Sequence, residues 1–321
     1  MDTRPSDTRP AGTRPTDTRP VETRPARSPR PVDARRIVVG VDGSPESERA
    51  LAWAATEAAR RGSELLVVHT YSWHELETHT PVGAPFAEDI RRHAEALVAE
   101  AVTRAQRIAP GVTVRGQAQL GQAAHTLVKA STDGATVVVG NRGRGGVASL
   151  LLGSVSQKVA VHAHGPVVVV RGRIDVDRGD IVVGVDGSPQ SQHALQVAFE
   201  EAMIHDVGVV AVRAYSLLAT TYAPYMVGYY EDPHQRWESE MAVLRDDVAT
   251  VAEKYPLVRV SHLAVEGHPG VVLTQRSASA RLVVVGSRGH GGFAGLLLGS
   301  VGLHLIHHAQ CPVLIARPTS H

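Results

Sequence analysis

A chain of 321 residues holds material for about two domains of ordinary size. With 43% hydrophobic and 20% charged residues it has the composition of a globular protein, and a net charge of +1 excludes the basic excess of a dedicated nucleic-acid binder. The single Cys311 excludes an internal disulfide and fits a reducing compartment. No apolar run approaches the ~20 residues that span a bilayer and no signal-peptide core opens the chain, so membrane insertion is not expected and a cytoplasmic location is.

Residues 1–33 repeat Thr-Arg-Pro every five residues from Thr3 to Thr23. Recurrent proline forbids a helix and little apolar surface is offered for burial, so this tail is expected to be disordered. From Arg35 onward, short Val/Ile runs alternate with alanine-rich stretches, the pattern of βαβ units in a parallel sheet. Strands are expected near 36–41, 64–70, 112–116, 135–139 and 166–170, with helices near 45–61, 87–108, 122–132 and 153–163. The charged segment 173–179 reads as a linker between domains at 34–172 and 180–318. The second domain repeats the first, with strands near 180–185, 207–214, 257–264, 281–285 and 312–316 and helices near 189–205, 234–253, 268–279 and 299–309. Ser44-Pro45 and Ser188-Pro189 read as an N-cap hydroxyl followed by proline at the first helical position, and Ser154 and Ser300 are expected to cap the fourth helices.

The repeat is literal in two places. IVVGVDGSP occurs at 37–45 and again at 181–189, while GNRGRGGVASLLLGSV at 140–155 matches GSRGHGGFAGLLLGSV at 286–301 in twelve of sixteen positions. The spacing, about 145 residues, is that of a whole small domain rather than a solenoid unit. Each copy joins two special strand ends. Strand one finishes in Gly40, Asp42 and Ser44 (Gly184, Asp186 and Ser188 in the second copy), and strand four finishes in a glycine-rich loop. In open α/β sheets ligands sit at the carboxyl ends of strands where the strand order reverses, so both ends face one crevice if strands one and four are neighbours.

The loop residues Gly140, Asn141, Arg142, Gly143, Arg144, Gly145 and Gly146 present bare main-chain N–H groups and a guanidinium to a phosphate. Leu150, Leu151 and Leu152 are expected to pin the loop, and Gly153, Ser154 and Val155 open a helix whose N-terminus favours an anion. The second copy supplies Gly286, Ser287, Arg288, Gly289, His290, Gly291 and Gly292, followed by Gly299, Ser300 and Val301. Asp42 and Asp186 would repel phosphate and are expected to accept hydrogen bonds from a ribose or base. A tight βα turn with close helix packing is the competing explanation for such glycines. No P-loop lysine motif, dinucleotide fingerprint after strand one or Gly-x-Ser-x-Gly elbow is present, so no catalytic residue is assigned.

Gly-x-x-Gly, nine residues and Gly-Ser, preceded by a GVDGS strand end, resembles the ATP-binding branch of the universal stress protein family over about residues 35–318. The resemblance implies two tandem α/β domains, each an open five-stranded parallel sheet in order 3-2-1-4-5 flanked by about four helices and packed as a pseudo-dimer. It further implies ATP with Mg²⁺ held through the phosphates, Asp42 and Asp186 at the adenosine end, a homodimer, and a regulatory role toward a protein partner in stress adaptation or dormancy. Slow ATP hydrolysis or phosphoryl transfer, and a chaperone-like protein that binds no ligand, are the alternatives. Three smaller expectations complete the reading. Tyr222, Tyr225, Tyr229 and Tyr230 form a lid or an interface; His162, His164, His304, His307 and His308 are helix-end histidines stabilised by the dipole and not metal ligands; Cys311 is a buried inert thiol.

Overall fold

The computed structural model describes residues 36–72, 84–145, 151–174, 179–216, 232–290 and 297–318. The Thr-Arg-Pro tail, the four tyrosines of 222–230 and loop residues Gly146, Leu150, Gly291 and Gly292 lie outside them.

The first half runs β1 (Ile37–Gly40), α1 (Pro45–Arg61), β2 (Leu65–Tyr71), α2 (Ala84–Ile108), β3 (Val114–Leu120), α3 (Ala123–Thr132), β4 (Thr136–Gly140), α4 (Ser154–His162) and β5 (Val167–Val170). The second half runs β6 (Ile181–Gly184), α5 (Pro189–His205), β7 (Val209–Tyr215), α6 (Pro233–Ala252), β8 (Val260–Glu266), α7 (Pro269–Ser277), β9 (Leu282–Gly286), α8 (Ser300–His308) and β10 (Val313–Ala316). All ten strands join one sheet in the order β3-β2-β1-β4-β5-β10-β9-β6-β7-β8. Within each half the order is 3-2-1-4-5 and every pairing is parallel; β5 and β10 alone pair antiparallel, with Val168 opposite Leu314. That pairing has a physical cause. The VVVV run of β5 and VLIA of β10 are buried at every residue, and left as free edges they would expose unpaired backbone beside apolar side chains.

Successive strand residues face two separate cores. Val39, Val138, Val168 and Leu314 share one core with α1 and α5, and Val38, Val137, Val169 and Val313 face the other. On α1 the stripe Ala50, Ala54 and Ala58 is fully buried against the sheet. The outer strands differ most from expectation: β3 and β8 begin later and run further, to Leu120 and Glu266. Their sequences, VRGQAQL and VSHLAVE, carry polar residues at partly or fully exposed positions, so the apolar run alone understates them.

Two charged devices tie the halves together. Arg171 follows β5 and its Nη1 donates to Leu305 O in α8, while Arg317 follows β10 and its Nη2 donates to Ala160 O in α4. Each arginine thus answers the C-terminal carbonyls of the other half's last helix. Across the same seam, Arg61 of α1 donates to Glu57 Oε1 at 2.7 Å and to both oxygens of Glu201 in α5, at 2.6 and 2.5 Å. His205 Nε2 lies 3.2 Å from Glu57 Oε2. Burial pushes the Cys311 thiol up to about 12, in keeping with an inert buried side chain.

Candidate functional site

β1 pairs with both β2 and β4, so the reversal of strand order falls between β1 and β4 and their carboxyl ends are adjacent. The juxtaposition is a bonded one. Asp42 Oδ2 accepts from Arg144 N of the glycine-rich loop at 2.8 Å, while Oδ1 accepts from Ser44 N at 3.0 Å and Ser44 Oγ at 2.6 Å. The second half reproduces the clamp: Asp186 accepts from His290 N at 2.9 Å, Ser188 N at 3.0 Å and Ser188 Oγ at 2.6 Å. Both aspartates are expected to serve a ribose or base; the bonds they accept in this structure come from Ser44 or Ser188 and from one amide of the loop. Burial acts to raise both carboxyls, yet the bonds from Ser44 and Ser188 and from the loop amides outweigh it and hold each below its ordinary 3.8.

The loop glycines have distinct reasons to be glycine. A Cβ at Gly143 would lie 2.3 Å from Asp42 Oδ2, and one at Gly289 would lie 2.2 Å from Asp186 Oδ2. At Gly140 and Gly286 a Cβ would meet Glu46 O at 2.7 Å and Gln190 O at 2.8 Å, so these two let the first helix of each half sit close on strand four. A Cβ at Gly145 meets nothing within 4 Å among the described residues. Gly40 and Gly184 abut Leu127 and Leu273, in helix packing and away from the loop. The close-packing explanation therefore accounts for several glycines and, among the described residues, does not account for Gly145.

Helix capping divides in two. Ser44 and Ser188 cap α1 and α5 as expected, accepting from Ser47 N and Ser191 N at 3.2 Å. Ser154 and Ser300 do not cap: Gly153 and Gly299 occupy the N-cap positions of α4 and α8 with no side-chain acceptor, and the serines are exposed first helical residues. A glycine has no side chain to answer the orphan amides of a helix start, so at both N-termini that side-chain cap is missing. The loop is held against them by Gly153 N to Asn141 O and Gly299 N to Ser287 O, both 2.8 Å. Val155 and Val301, one residue into these helices, are half-buried. Of the leucine triplets, Leu152 and Leu298 are buried whereas Leu151 and Leu297 are half-exposed, so one leucine pins each loop among the described residues.

The two halves diverge around this shared frame. Arg142 pairs with Glu46 at 2.9 Å. The second copy has Gln190 in place of Glu46, and Arg288 has no ion pair among the described residues. His69 in β2 is replaced by Arg213 in β7, which pairs with Glu240 at 2.5 Å and lies 3.6 Å from Asp247. Beside Gly43 the wall is Leu97 and Arg144; beside Gly187 it is Asp247, His290 and Arg213. Burial raises the Asp247 carboxyl, with Arg213 opposing. Of the histidines, burial and neighbouring imidazoles push His304 below its ordinary value, and burial, His308 and Arg171 do the same to His307. Glu57, Glu201 and His205 bring ligating atoms within 4.8 Å of one another, a spacing that suits a metal, but Arg61 already supplies their positive charge.

Sequence reasoning missed the Glu57–Arg61–Glu201–His205 network, the reciprocal Arg171 and Arg317 contacts and the Arg213 cluster. A signal for the first was present: Glu57 and Glu201 occupy the same position of the repeat, on the core side of helices otherwise lined with alanine.

The aspartate clamp yields an acid-side prediction. Because both carboxyls are depressed, their contribution to stability is complete above 3.8 and disappears as pH falls through the depressed native values. Asp42→Asn with Asp186→Asn should lower stability near neutrality by about 1 kcal/mol per half, and thermal melts in acid should show the variant converging on the parent. A constant gap at all pH values would contradict the clamp.

The sequence profile described as the universal stress protein family matches residues 34–171 and 178–317. A universal stress protein of Mycobacterium tuberculosis (strain ATCC 25618 / H37Rv) is 37% identical over 297 residues, covering 90% of this chain and 99% of its own. Another from the same strain is 37% identical over 295 residues, covering 88% and 96%. The crystal structure of a universal stress protein from Archaeoglobus fulgidus DSM 4304 superposes with a TM-score of 0.66 at 18% identity, over 88% of this chain and 96% of that one, which speaks to the fold. With the profile matched twice in succession along one polypeptide, this chain belongs to the universal stress protein family as a tandem-domain member.

Proposed function

We propose that the protein binds ATP in its two glycine-rich sites and acts as a stress-adaptation regulator rather than as an efficient enzyme. One observation carries the reading. In each half an aspartate at the end of the first strand fixes the glycine-rich loop beside a helix N-terminus that has no side-chain cap, so main-chain donors converge where a polyanion would sit. The nearest carboxylates are engaged by main-chain and hydroxyl donors, so Mg²⁺ would be carried by phosphate oxygens. Nucleotide occupancy would act by favouring one conformation of the loops and hence one partner or oligomer, with a homodimer of tandem chains and a cytosolic location as the accompanying expectations.

Mass spectrometry of ligand released from protein purified without added nucleotide should find adenine nucleotide at one to two per chain. Equilibrium dialysis that retains no ATP at millimolar supply would overturn the proposal.

A further inference from the structure

A cavity of about 520 Å³ lies on the seam between the halves, within the size range of small-molecule sites. Its polar lining comes from both halves: His162 and His164 at the end of α4, Ser287 and Arg288 from the second glycine-rich loop, and Arg317 beyond β10. No carboxylate lines it among the described residues. Val161, Leu297 and Pro318 give it an apolar wall, and Leu297 is 53% exposed there although it belongs to a leucine triplet.

Two features make this more than a gap between packed units. Arg317 is only 6% exposed, and its Nη2 is spent on Ala160 O and Val161 O while its Nη1 is buried with no partner among the described residues. A buried guanidinium with an unmet donor is costly unless an acceptor reaches it, and burial alone depresses this one to about 10. The second feature is the contrast between the repeats. In the first half the loop arginine, Arg142, is paired with Glu46, whereas Gln190 leaves Arg288 without that acid. Two cationic side chains, two imidazoles and a hydroxyl therefore line a chamber that is otherwise apolar.

We infer that this seam cavity binds a small anion carrying an apolar body, such as a medium-chain carboxylate, at one per chain. Arg288 would receive the anionic head, with the buried Arg317 charge beneath the cavity floor adding attraction, and Val161 and Leu297 would cover the tail. Because Ser287 and Arg288 belong to the second loop, occupancy would bear on that loop's conformation and not on the first.

Isothermal titration of the full chain with decanoate tests the site. One equivalent is expected to bind, with inorganic phosphate at least tenfold weaker because it has charge and no tail. His164 is exposed, so His164→Asp should leave the fold intact yet weaken decanoate at least tenfold by placing a carboxylate in the cavity, while His164→Asn should stay within about threefold of the parent. Val128→Trp, which adds bulk to the cavity from α3, should also abolish decanoate binding while ATP titration of the same variant is unchanged. No decanoate heat, several equivalents per chain, or equal affinity in His164→Asp and His164→Asn would overturn the inference. A chain that binds decanoate but not ATP would sink the nucleotide reading and leave this one standing.

Discussion

Replacing Gly143 and Gly289 together by alanine should remove ATP binding from both halves while the chain still folds. The reason is a collision inside the protein. Each new methyl would lie 2.3 or 2.2 Å from an aspartate oxygen, far inside contact distance. That carboxylate has little room to yield, because Ser44 N and Ser44 Oγ, or their Ser188 equivalents, hold its other oxygen. The loop must therefore move, the bond to Arg144 N or His290 N breaks, and the main-chain donors lose the common focus that makes them a site. At least a tenfold loss at each half is expected by titration calorimetry, about 1.4 kcal/mol or more. Gly145→Ala is the informative companion. Its methyl meets no atom of the described residues within 4 Å and lies clear of Asp42, so a loss it causes is expected to report the ligand's own approach to the loop and not damage to the clamp. Unchanged ATP affinity in the double alanine variant would mean that the loop's register is irrelevant to binding.

Arg61→Met should be the most destabilising single change on the seam, costing about 3–5 kcal/mol. Glu57 and Glu201 are 2% and 3% exposed, and Arg61 is the full cation that both share. Burial raises Glu57, but the His205 hydrogen bond and the Arg61 charge outweigh it and bring the carboxyl down to about 2. Burial also raises Glu201, and only Arg61 and His205 oppose it there. Without the guanidinium two carboxylates are left in an apolar seam, and folding must take up a proton or solvate a charge. Thermal unfolding should fall on the order of 10 °C. The sign of the pH dependence follows from Glu57: its contribution is complete above its ordinary 4.5 and is lost as pH falls toward about 2, so the gap between parent and variant should narrow in acid. Converting Glu57, Arg61, Glu201 and His205 together to leucine or methionine should restore most of the loss, since replacing a whole buried ion cluster by apolar side chains is near neutral. A single Arg61→Met that melts within about 2 °C of the parent would show that the cluster does not hold the halves.

The architecture was legible because valine-rich runs and alanine-striped helices alternate with a clear period, and because the repeat states the pattern twice. The central strands and most helix limits were readable to within a residue or two; β3 and β8 were not, since strands at a sheet edge tolerate polar residues such as Gln117 and Gln119. Within the site, the nearness of Asp42 to the loop followed from strand order, but the direction of its bonds did not. Hydrogen-bond partners depend on loop geometry that residue identity leaves open, and so the capping roles given to Ser154 and Ser300 fell instead to the preceding glycines. The resemblance implied that the halves pack as a pseudo-dimer, but which strands meet was not readable, for a related reason. A single sequence shows that β5 and β10 are apolar, not that each is the other's neighbour.

The antiparallel joint between β5 and β10 has an evolutionary consequence. When identical chains meet about a twofold axis, every substitution is inherited on both sides at once, and the partners must remain twins. Here both sides are written in one reading frame, so each can drift alone. Glutamate facing glutamine at 46 and 190, histidine facing arginine at 69 and 213, and arginine facing histidine at 61 and 205 are the marks of that freedom. One half can keep an ancestral duty while its sibling acquires a different one, with no second gene to regulate.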